Sequence, residues 1–104
     1  MARTGSEYIA GLDDGRMVWL DGKKRSVLSD PALGGSLAGM AGYFDWQHRY
    51  AEDCLVHNPA IDAVTNASLL LPRSADDLDK RHRSFERLAR YSYGMLGRTP
   101  DYVQ

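Results

Sequence analysis

Apolar residues recur at steps of three and four along two stretches of the chain, and this period predicts two long helices. In the first, which starts at Ser36, the apolar face comprises Leu37, Met40, Ala41, Phe44, His48 and Ala51. The second starts after Ser74, which suits an N-cap, and is expected to stop before Gly97. Its apolar stripe comprises Leu78, Phe85, Leu88, Ala89, Ser92, Met95 and Leu96, and its later turns carry Arg83, Arg87 and Arg90, which complement the helix dipole.

Two local motifs predict shorter elements near the N-terminus. Thr4 and Glu7 form a T-x-x-E capping box, and the helix that follows is expected to end at Gly15. The apolar run MVWL and the basic run KKR flank Asp21 and Gly22, the pair that a type I′ turn favours, so they predict a β-hairpin. The fold class that follows is mainly α with a short β-hairpin.

The middle of the chain carries signals that start and break helices. Asp30 followed by Pro31 suits the N-cap and the first position of a helix. Gly39 and Gly42 weaken the first long helix and would allow a neighbouring helix to pack closely. The stretch VHNPAIDAVTNASLLLPRS contains two proline breakers and is predicted to be a connector that packs against another part of the protein. Aromatic residues extend partly round the first long helix, which predicts a contact beyond the local core: Tyr43, Phe44, Trp46 and Tyr50.

The composition is that of a soluble globular domain. The chain has 104 residues, of which 43% are hydrophobic and 26% charged, and its net charge is −1. This balance argues against disorder and offers no basic surface for nucleic acid or an anionic membrane. No apolar run reaches membrane-spanning length, and a single cysteine excludes an internal disulfide. We therefore predict a cytoplasmic protein that binds neither nucleic acid nor membranes.

Familiar catalytic signatures are absent from the sequence: it has no P-loop, G-x-G-x-x-G, G-x-S-x-G or H-E-x-x-H motif. Cys54 and His57 are three residues apart and could pair as nucleophile and base, although such spacing at a helix end is a common coincidence. His48 is predicted to be a core histidine and His82 a surface residue. The three histidines lack the spacing of a zinc site, so no metal is expected.

The last nine residues, LGRTPDYVQ, hold the most suggestive chemistry. Pro100, between Thr99 and Asp101, favours a tight turn, and Arg98 and Tyr102 flank that turn. A permanent cation and a phenol together suit an oxygen that carries negative charge, such as a phenolate. From spacing alone, the simpler interpretation is a capping turn in which Arg98 pairs with Asp101 and the tyrosine packs on the helix.

Three segments resemble the N-terminal region of the 4-hydroxyphenylacetate 3-hydroxylase family: RTGSEYIAGLDDGRMVWLDGKK, PRSADDLDKRH and YSYGMLGRTPDYVQ. The resemblance runs collinearly from Arg3 to Gln104, and R-[ST]-P-D-Y after a long helix is its most specific element. It implies the N-terminal helical domain of an acyl-CoA dehydrogenase-like flavin monooxygenase. Residues 1–104 would be a single domain, with a β-barrel and a C-terminal helical bundle expected downstream, and the enzyme would be a homotetramer.

The resemblance also implies a chemistry. Reduced FAD (FADH2), supplied by a separate flavin reductase, would react with O2 to give a flavin hydroperoxide, and a phenol would attack its terminal oxygen through the carbon ortho to the hydroxyl. The family's substrate-binding stretch falls on Arg98, Thr99, Pro100, Asp101 and Tyr102. Arg98 and Tyr102 would bind the phenolic oxygen together with a histidine from the next domain. Most flavin contacts are expected beyond Gln104, so the isolated chain would be inactive and would not bind flavin measurably.

Two alternatives remain open at this point. The chain could be a stand-alone helical interaction module without catalysis. It could also come from the related 4-hydroxybutyryl-CoA dehydratase branch, whose iron–sulfur cluster is held by cysteine and histidine; the intact RTPDY segment favours the monooxygenase branch instead. The sequence leaves the phenol itself open, whether 4-hydroxyphenylacetate, a chlorophenol or a tyrosine-derived unit on a carrier protein.

Overall fold

The computed structural model describes residues 2–95, which are mainly helical and include two small antiparallel sheets. Two compact units make up the chain: Arg3–Asp45, and a second that begins at Trp46 and includes Ala2. The elements in chain order are α1 (Gly5–Gly11), β1 (Val18–Leu20), β2 (Lys23–Arg25), α2 (Pro31–Arg49), α3 (Ala51–Cys54), β3 (Leu55–Asn58), β4 (Ala63–Asn66), a 3-10 helix (Ala67–Leu69) and α4 (Ala75–Ser92). The mainly helical prediction is confirmed, and the second hairpin is an addition to it.

Helix α1 begins with the predicted capping box. The Glu7 backbone amide donates to the Thr4 hydroxyl over 3.2 Å, and the Thr4 amide donates to the Glu7 carboxylate over 2.8 Å. The helix ends at Gly11, earlier than the predicted Gly15. Beyond the helix the chain forms a separate turn, in which the Asp14 carboxylate accepts a hydrogen bond from the Arg16 amide over 3.1 Å.

The first hairpin matches its prediction. Asp21 and Gly22 both have positive φ, 52° and 72°, as a type I′ turn requires. Strands β1 and β2 then pair with Leu20 opposite Lys23. Arg25, the last residue of the basic run, forms an ion pair with Asp30, in which Nη1 of Arg25 lies 3.1 Å from Oδ2 of Asp30.

Helix α2 starts at Pro31, where Asp30 accepts the Ala32 amide over 2.8 Å, so this start signal is confirmed. The expected start at Ser36 is wrong, because the helix continues without a break through Gly34 and Gly35. The prediction of a core histidine at His48 is also wrong: that side chain is exposed, and the neighbouring Gln47 is only 3% exposed. The difference is confined to the end of the helix, because Ala41 of the predicted face is buried.

A close backbone contact in the unit Arg3–Asp45 occurs at Gly5. Its amide donates to Asp45 over 2.8 Å, and a Cβ at Gly5 would lie 2.5 Å from the Ala41 carbonyl oxygen. The rings of Tyr8 and Phe44 stack nearby at 4.9 Å. The predicted close approach at Gly39 is wrong, since a Cβ there would meet no atom outside its own stretch of helix within 4 Å.

The stretch predicted to be a connector is a hairpin followed by a 3-10 helix. Strands β3 and β4 pair from Leu55 opposite Asn66 to Asn58 opposite Ala63. Asn58 closes the turn, because its side chain accepts the Ala60 amide over 3.1 Å and donates to the Leu69 carbonyl over 3.3 Å. The sequence Asn-Pro thus starts a turn between two strands rather than ending an ordered element.

Helix α4 starts as predicted, with the Ser74 hydroxyl accepting the Asp77 amide over 3.1 Å. It stops at Ser92, however, before the predicted end. Two members of the predicted apolar stripe are not core residues: Leu78 is 59% exposed, and Met95, beyond the helix, is 86% exposed. Gly97 lies outside the described residues.

We predict that Gly5→Ala destabilises the protein by about 1–3 kcal/mol, because the added methyl group overlaps α2. The Asp45 carboxylate could rotate away, but the Ala41 carbonyl belongs to the helix backbone and cannot move alone. Urea unfolding followed by circular dichroism measures the change.

The matched control is Gly35→Ala in α2, where a Cβ would meet nothing within 4 Å. This change should stabilise the protein by about 0.5–1 kcal/mol, the usual gain of alanine over glycine inside a helix. Equal effects of the two substitutions would show that α1 does not pack on α2 as described.

Candidate functional site

The predicted substrate-binding stretch, Arg98, Thr99, Pro100, Asp101 and Tyr102, lies outside the described residues. Arg98 follows Ser92, the last residue of α4, by six positions. The described part of the candidate site is therefore the end of α4 and the residues that hold it.

The end of α4 is closed by two consecutive residues in the left-handed region. Tyr93 has φ 54° and Gly94 has φ 85°. The amides of both donate to the Ala89 carbonyl, the Gly94 amide over 2.8 Å, so helix carbonyls at this end find donors. Gly94 supplies a left-handed position near the helix end, where the sequence predicts Gly97 in that role. Tyr93 takes up the same conformation without being glycine, at a cost of about 1 kcal/mol.

A cluster of four side chains in the second unit lies close to this end, and it joins one residue of α4 to three residues from outside that helix. We call it the Trp46 cluster; its members are Trp46, Tyr50, Asp53 and Arg87. The indole N–H of Trp46 donates to the Arg87 carbonyl oxygen over 3.0 Å. The Trp46 ring lies 4.6 Å from the Tyr50 ring and 5.4 Å from the ring of Tyr91, one turn after Arg87.

The guanidinium of Arg87 makes two further contacts in the cluster. Its Nε donates to the Asp53 carboxylate over 2.8 Å, and its Cζ lies 4.1 Å from the centre of the Tyr50 ring. The hydrogen bond to Asp53 raises the pKa of Arg87 above its ordinary value. Both partners are half-buried, so the ion pair is better shielded from water than the exposed pairs elsewhere on α4. Arg87 thus connects the last turns of α4 to the cluster twice, through its backbone carbonyl and through its charged side chain.

Asn66 connects three elements of the same unit through its side-chain amide. Its Nδ2 donates to Gln47 over 2.9 Å, and its Oδ1 accepts from the Ser68 amide over 3.0 Å and from the Ser84 hydroxyl over 3.4 Å. Gln47 and Ser84 are buried, and such groups need partners of this kind. This network places α4 against the 3-10 helix and explains why a glutamine rather than His48 faces inward.

The structure does not bring Cys54 and His57 together as nucleophile and base. Cys54 is 3% exposed at the end of α3. Burial raises the pKa of its thiol to about 11, and a hydrogen bond with Ser84 opposes that shift in part. His57 is exposed on β3, with Nε2 3.5 Å from Asp62. Cys54 is therefore a structural residue. His82 is exposed on α4, as predicted.

The described residues contain no group of side chains that could hold a metal ion. Between residues 2 and 95, no three His, Cys, Asp or Glu side chains are grouped to hold a metal ion. An open hollow of about 530 Å³ lies on the second unit. Lys80, which lines it, already has an acidic partner in Asp76 at 3.0 Å. No described helix is long and apolar enough to cross a membrane.

The last turns of α4 could be predicted from the sequence, but the cluster that holds them could not. The sequence pattern explains Arg87 only as a charge that complements the helix dipole. Its partner Asp53 is 34 residues away, a separation that leaves no local signal. The surplus of aromatic residues around α2 was the available sign, and Trp46 and Tyr50 do contact more than the helix itself.

Comparisons with known proteins match nearly the whole chain to one family. A family profile described as "4-hydroxyphenylacetate 3-hydroxylase N terminal" matches residues 4–104. The chain is 38% identical to the (3S)-3-amino-3-(3-chloro-4-hydroxyphenyl)propanoyl-peptidyl-carrier-protein monooxygenase of Streptomyces globisporus, over 95% of this chain and 19% of that protein.

Oxygenase components of 4-hydroxyphenylacetate 3-monooxygenase are also similar. That of Escherichia coli is 34% identical over 95% of this chain and 20% of its own length. That of Thermus thermophilus is 34% identical over 99% of this chain and 22% of its own length. The chain thus spans about a fifth of the length of these relatives.

We predict that Cys54 reacts slowly with iodoacetamide in the folded protein. At pH 8 a thiol with a pKa near 11 holds about a hundredfold less thiolate than one with the ordinary value of 9.0. The rate should rise about tenfold per pH unit up to pH 10, because the thiolate fraction does. Mass spectrometry of the alkylated protein follows the reaction.

The control is the same reaction in guanidinium chloride, where Cys54 is accessible and should react at the rate of a free cysteine. Equal rates in the folded and unfolded protein would contradict burial of this thiol and reopen the Cys54–His57 hypothesis.

Proposed function

Because this chain belongs to the 4-hydroxyphenylacetate 3-hydroxylase family and matches the N-terminal region of its members, we propose that it forms the substrate-binding part of a monooxygenase. The proposed reaction is hydroxylation of a phenol at the carbon ortho to its hydroxyl group. The observation that carries the proposal is the unbroken family match over residues 4–104, which includes the stretch from Arg98 to Tyr102. Relatives of the chain are oxygenase components of this class, which supports the reaction type.

Arg98 is the residue to which we give the main electrostatic role. Its guanidinium stays charged at any working pH, and near the phenolic oxygen it would lower the pKa of the bound phenol. Negative charge on that oxygen is delocalised to the ortho carbon and makes this carbon nucleophilic. A charge fixed in advance needs no reorganisation as the reaction proceeds, which makes it an effective catalyst.

Tyr102 is proposed to donate a hydrogen bond to the same oxygen and so to orient the ring. Pro100 would hold the turn between the two side chains, because its φ is fixed, and Thr99 and Asp101 would complete that turn. A histidine from another part of the enzyme would be the third partner of the oxygen. Reduced FAD, delivered by a separate reductase, supplies the electrons that activate O2 when it is bound. We further propose a tetrameric enzyme.

The substrate is proposed as the class that the relatives share. One relative is named for a chlorinated 4-hydroxyphenyl group on a peptidyl-carrier protein, and others are named for 4-hydroxyphenylacetate. Both substrates present a 4-hydroxyphenyl ring, and this ring is the part that Arg98 and Tyr102 would contact. Comparing free 4-hydroxyphenylacetate with a carrier-bound tyrosine derivative as substrates distinguishes the two kinds.

We predict that Arg98→Ala lowers kcat/KM for the phenol by about 100- to 1000-fold, the usual loss when one preorganised charge or donor is removed. The kcat/KM of Arg98→Lys should fall between those of the wild type and Arg98→Ala, because the charge remains but the planar guanidinium is lost. The measurement is product formation by chromatography, in the enzyme that contains this chain, with reduced FAD supplied chemically.

The matched control is Arg83→Ala, which removes an exposed arginine of α4 that pairs with Asp79 at 3.5 Å. Its activity should stay within a factor of two of the wild type. Unchanged phenol binding and turnover in Arg98→Ala would remove Arg98 from the site, and an enzyme that neither binds nor hydroxylates any phenol would favour the interaction-module alternative.

A further inference from the structure

We propose that the free edge of β3 is a docking site for an extended strand, and that this strand comes from another part of the same polypeptide. The inference goes beyond the proposed reaction. It rests on that proposal only in treating the chain as part of a longer enzyme.

The hollow of about 530 Å³ on the second unit lies along one edge of β3. Leu55, Val56 and His57 all line it, whereas no residue of β4 is among the described residues that do. Successive side chains of a strand point to opposite faces, so three in a row line one hollow only from the edge of the strand. Strand β4 occupies the other edge in a two-stranded sheet. The hollow therefore follows the edge of β3 that β4 leaves open.

The backbone of His57 presents a donor and an acceptor at this edge. The Leu55 amide donates to the Ala51 carbonyl at the end of α3, and so it does not pair with β4. Along an antiparallel strand, residues that bond to the partner strand alternate with residues that point away from it. His57, two residues on, therefore directs its N–H and C=O away from β4, and neither group has a hydrogen-bond partner within residues 2–95. A strand laid beside β3 would pair with both.

This edge lacks the features that usually protect a free strand from pairing, which are lysine, proline and bulges. Strand β2 has two exposed lysines, Lys23 and Lys24. Strand β3 contains no lysine or proline, and its register with β4 is continuous, so it has no bulge. Leu71, which also lines the hollow, is 65% exposed. An unprotected edge beside an exposed leucine suits strand addition, in which main-chain hydrogen bonds and apolar side chains act together.

Two charged side chains at the hollow specify the chemistry of the added strand further. Glu52 and Arg73 both line it, and neither forms an ion pair with another residue in the part of the chain that the structure describes. A complementary strand has apolar residues facing Leu71 and carries one basic and one acidic side chain, which would pair with Glu52 and Arg73.

The size of the edge favours a tethered strand over a separate protein. Strand β3 has four residues, which span about 13 Å. A separate partner needs an interface of about 1000 Å² or more, far larger than such an edge provides. A segment of the same polypeptide avoids this requirement, because the tether gives it a high effective concentration. The relatives are about five times as long as this chain, so an enzyme of that length has further residues that could supply the strand.

Hydrogen exchange in the enzyme that contains this chain tests the proposal, with single amides resolved by mass spectrometry and electron-transfer fragmentation. The Val56 amide is the internal reference, because it pairs with β4 in either case. With a strand added, the His57 amide should exchange within about tenfold of the Val56 amide, after correction for intrinsic rates. A free edge would leave it more than about 100-fold faster, and this result would overturn the proposal. Strands β1 and β2, as a control, should keep alternating fast and slow amides.

A pair of substitutions at one position isolates the hydrogen bond to the added strand. His57→Pro removes the free N–H but should leave β3 paired with β4, because proline is tolerated at an edge position whose N–H faces away. The matched control, His57→Ala, keeps the amide. In the enzyme, the proline variant should unfold about 2–4 °C lower than the alanine variant, the cost of one backbone hydrogen bond.

Equal unfolding temperatures for the two variants would show that no strand pairs with His57. Slow exchange of the His57 amide that is lost on dilution of the enzyme would assign the strand to a second copy and overturn the choice of occupant. Hydroxylation of a phenol enters neither measurement, so an unchanged activity of Arg98→Ala would refute the proposed site and leave this inference standing.

Discussion

The hydrogen bond from Trp46 to the Arg87 carbonyl, over 3.0 Å, is the contact on which the placement of the last turns of helix α4 depends. Helix α4 is rich in charged side chains, many of which pair along its exposed surface and hold nothing else in place. Its end is positioned instead by one indole donor, one half-buried ion pair and a neighbouring aromatic ring. Local helix propensity could form α4 alone, but nonlocal contacts such as these hold its last turns against the rest of the unit that begins at Trp46.

Signals confined to a few adjacent residues could be predicted from the sequence, because their physics is local. The capping box at Thr4, the turn at Asp21 and the cap at Ser74 need only the chain within three residues. The buried Gln47 could not be predicted, since its burial depends on Asn66, which lies 19 residues away. For the same reason hydropathy assigned the inward position to His48. The second hairpin was missed because its turn depends on hydrogen bonds made by one asparagine side chain.

The candidate site, too, has features that the local sequence predicts and features that it does not. Spacing alone left Arg98 and Tyr102 as members of a capping turn or of an anion site, and nothing local could decide between the two. Family membership supports the second interpretation, because the match includes these residues. The ion pair between Arg87 and Asp53 could not be predicted from the sequence, since the two residues are 34 positions apart and no local pattern links them. Helix α4 ends at Ser92 and is followed by the left-handed residues Tyr93 and Gly94, so its end comes earlier than the sequence predicts.

The central claim is that Arg98 holds the substrate as a phenolate, and the ultraviolet difference spectrum of the bound phenol tests it most directly. A free phenol has a pKa of about 10 and is neutral at pH 7. In the enzyme that contains this chain, the bound 4-hydroxyphenyl ring should show the phenolate spectrum at pH 7, and Arg98→Ala should return it to the neutral form. A neutral phenol spectrum in the wild-type complex would contradict the account.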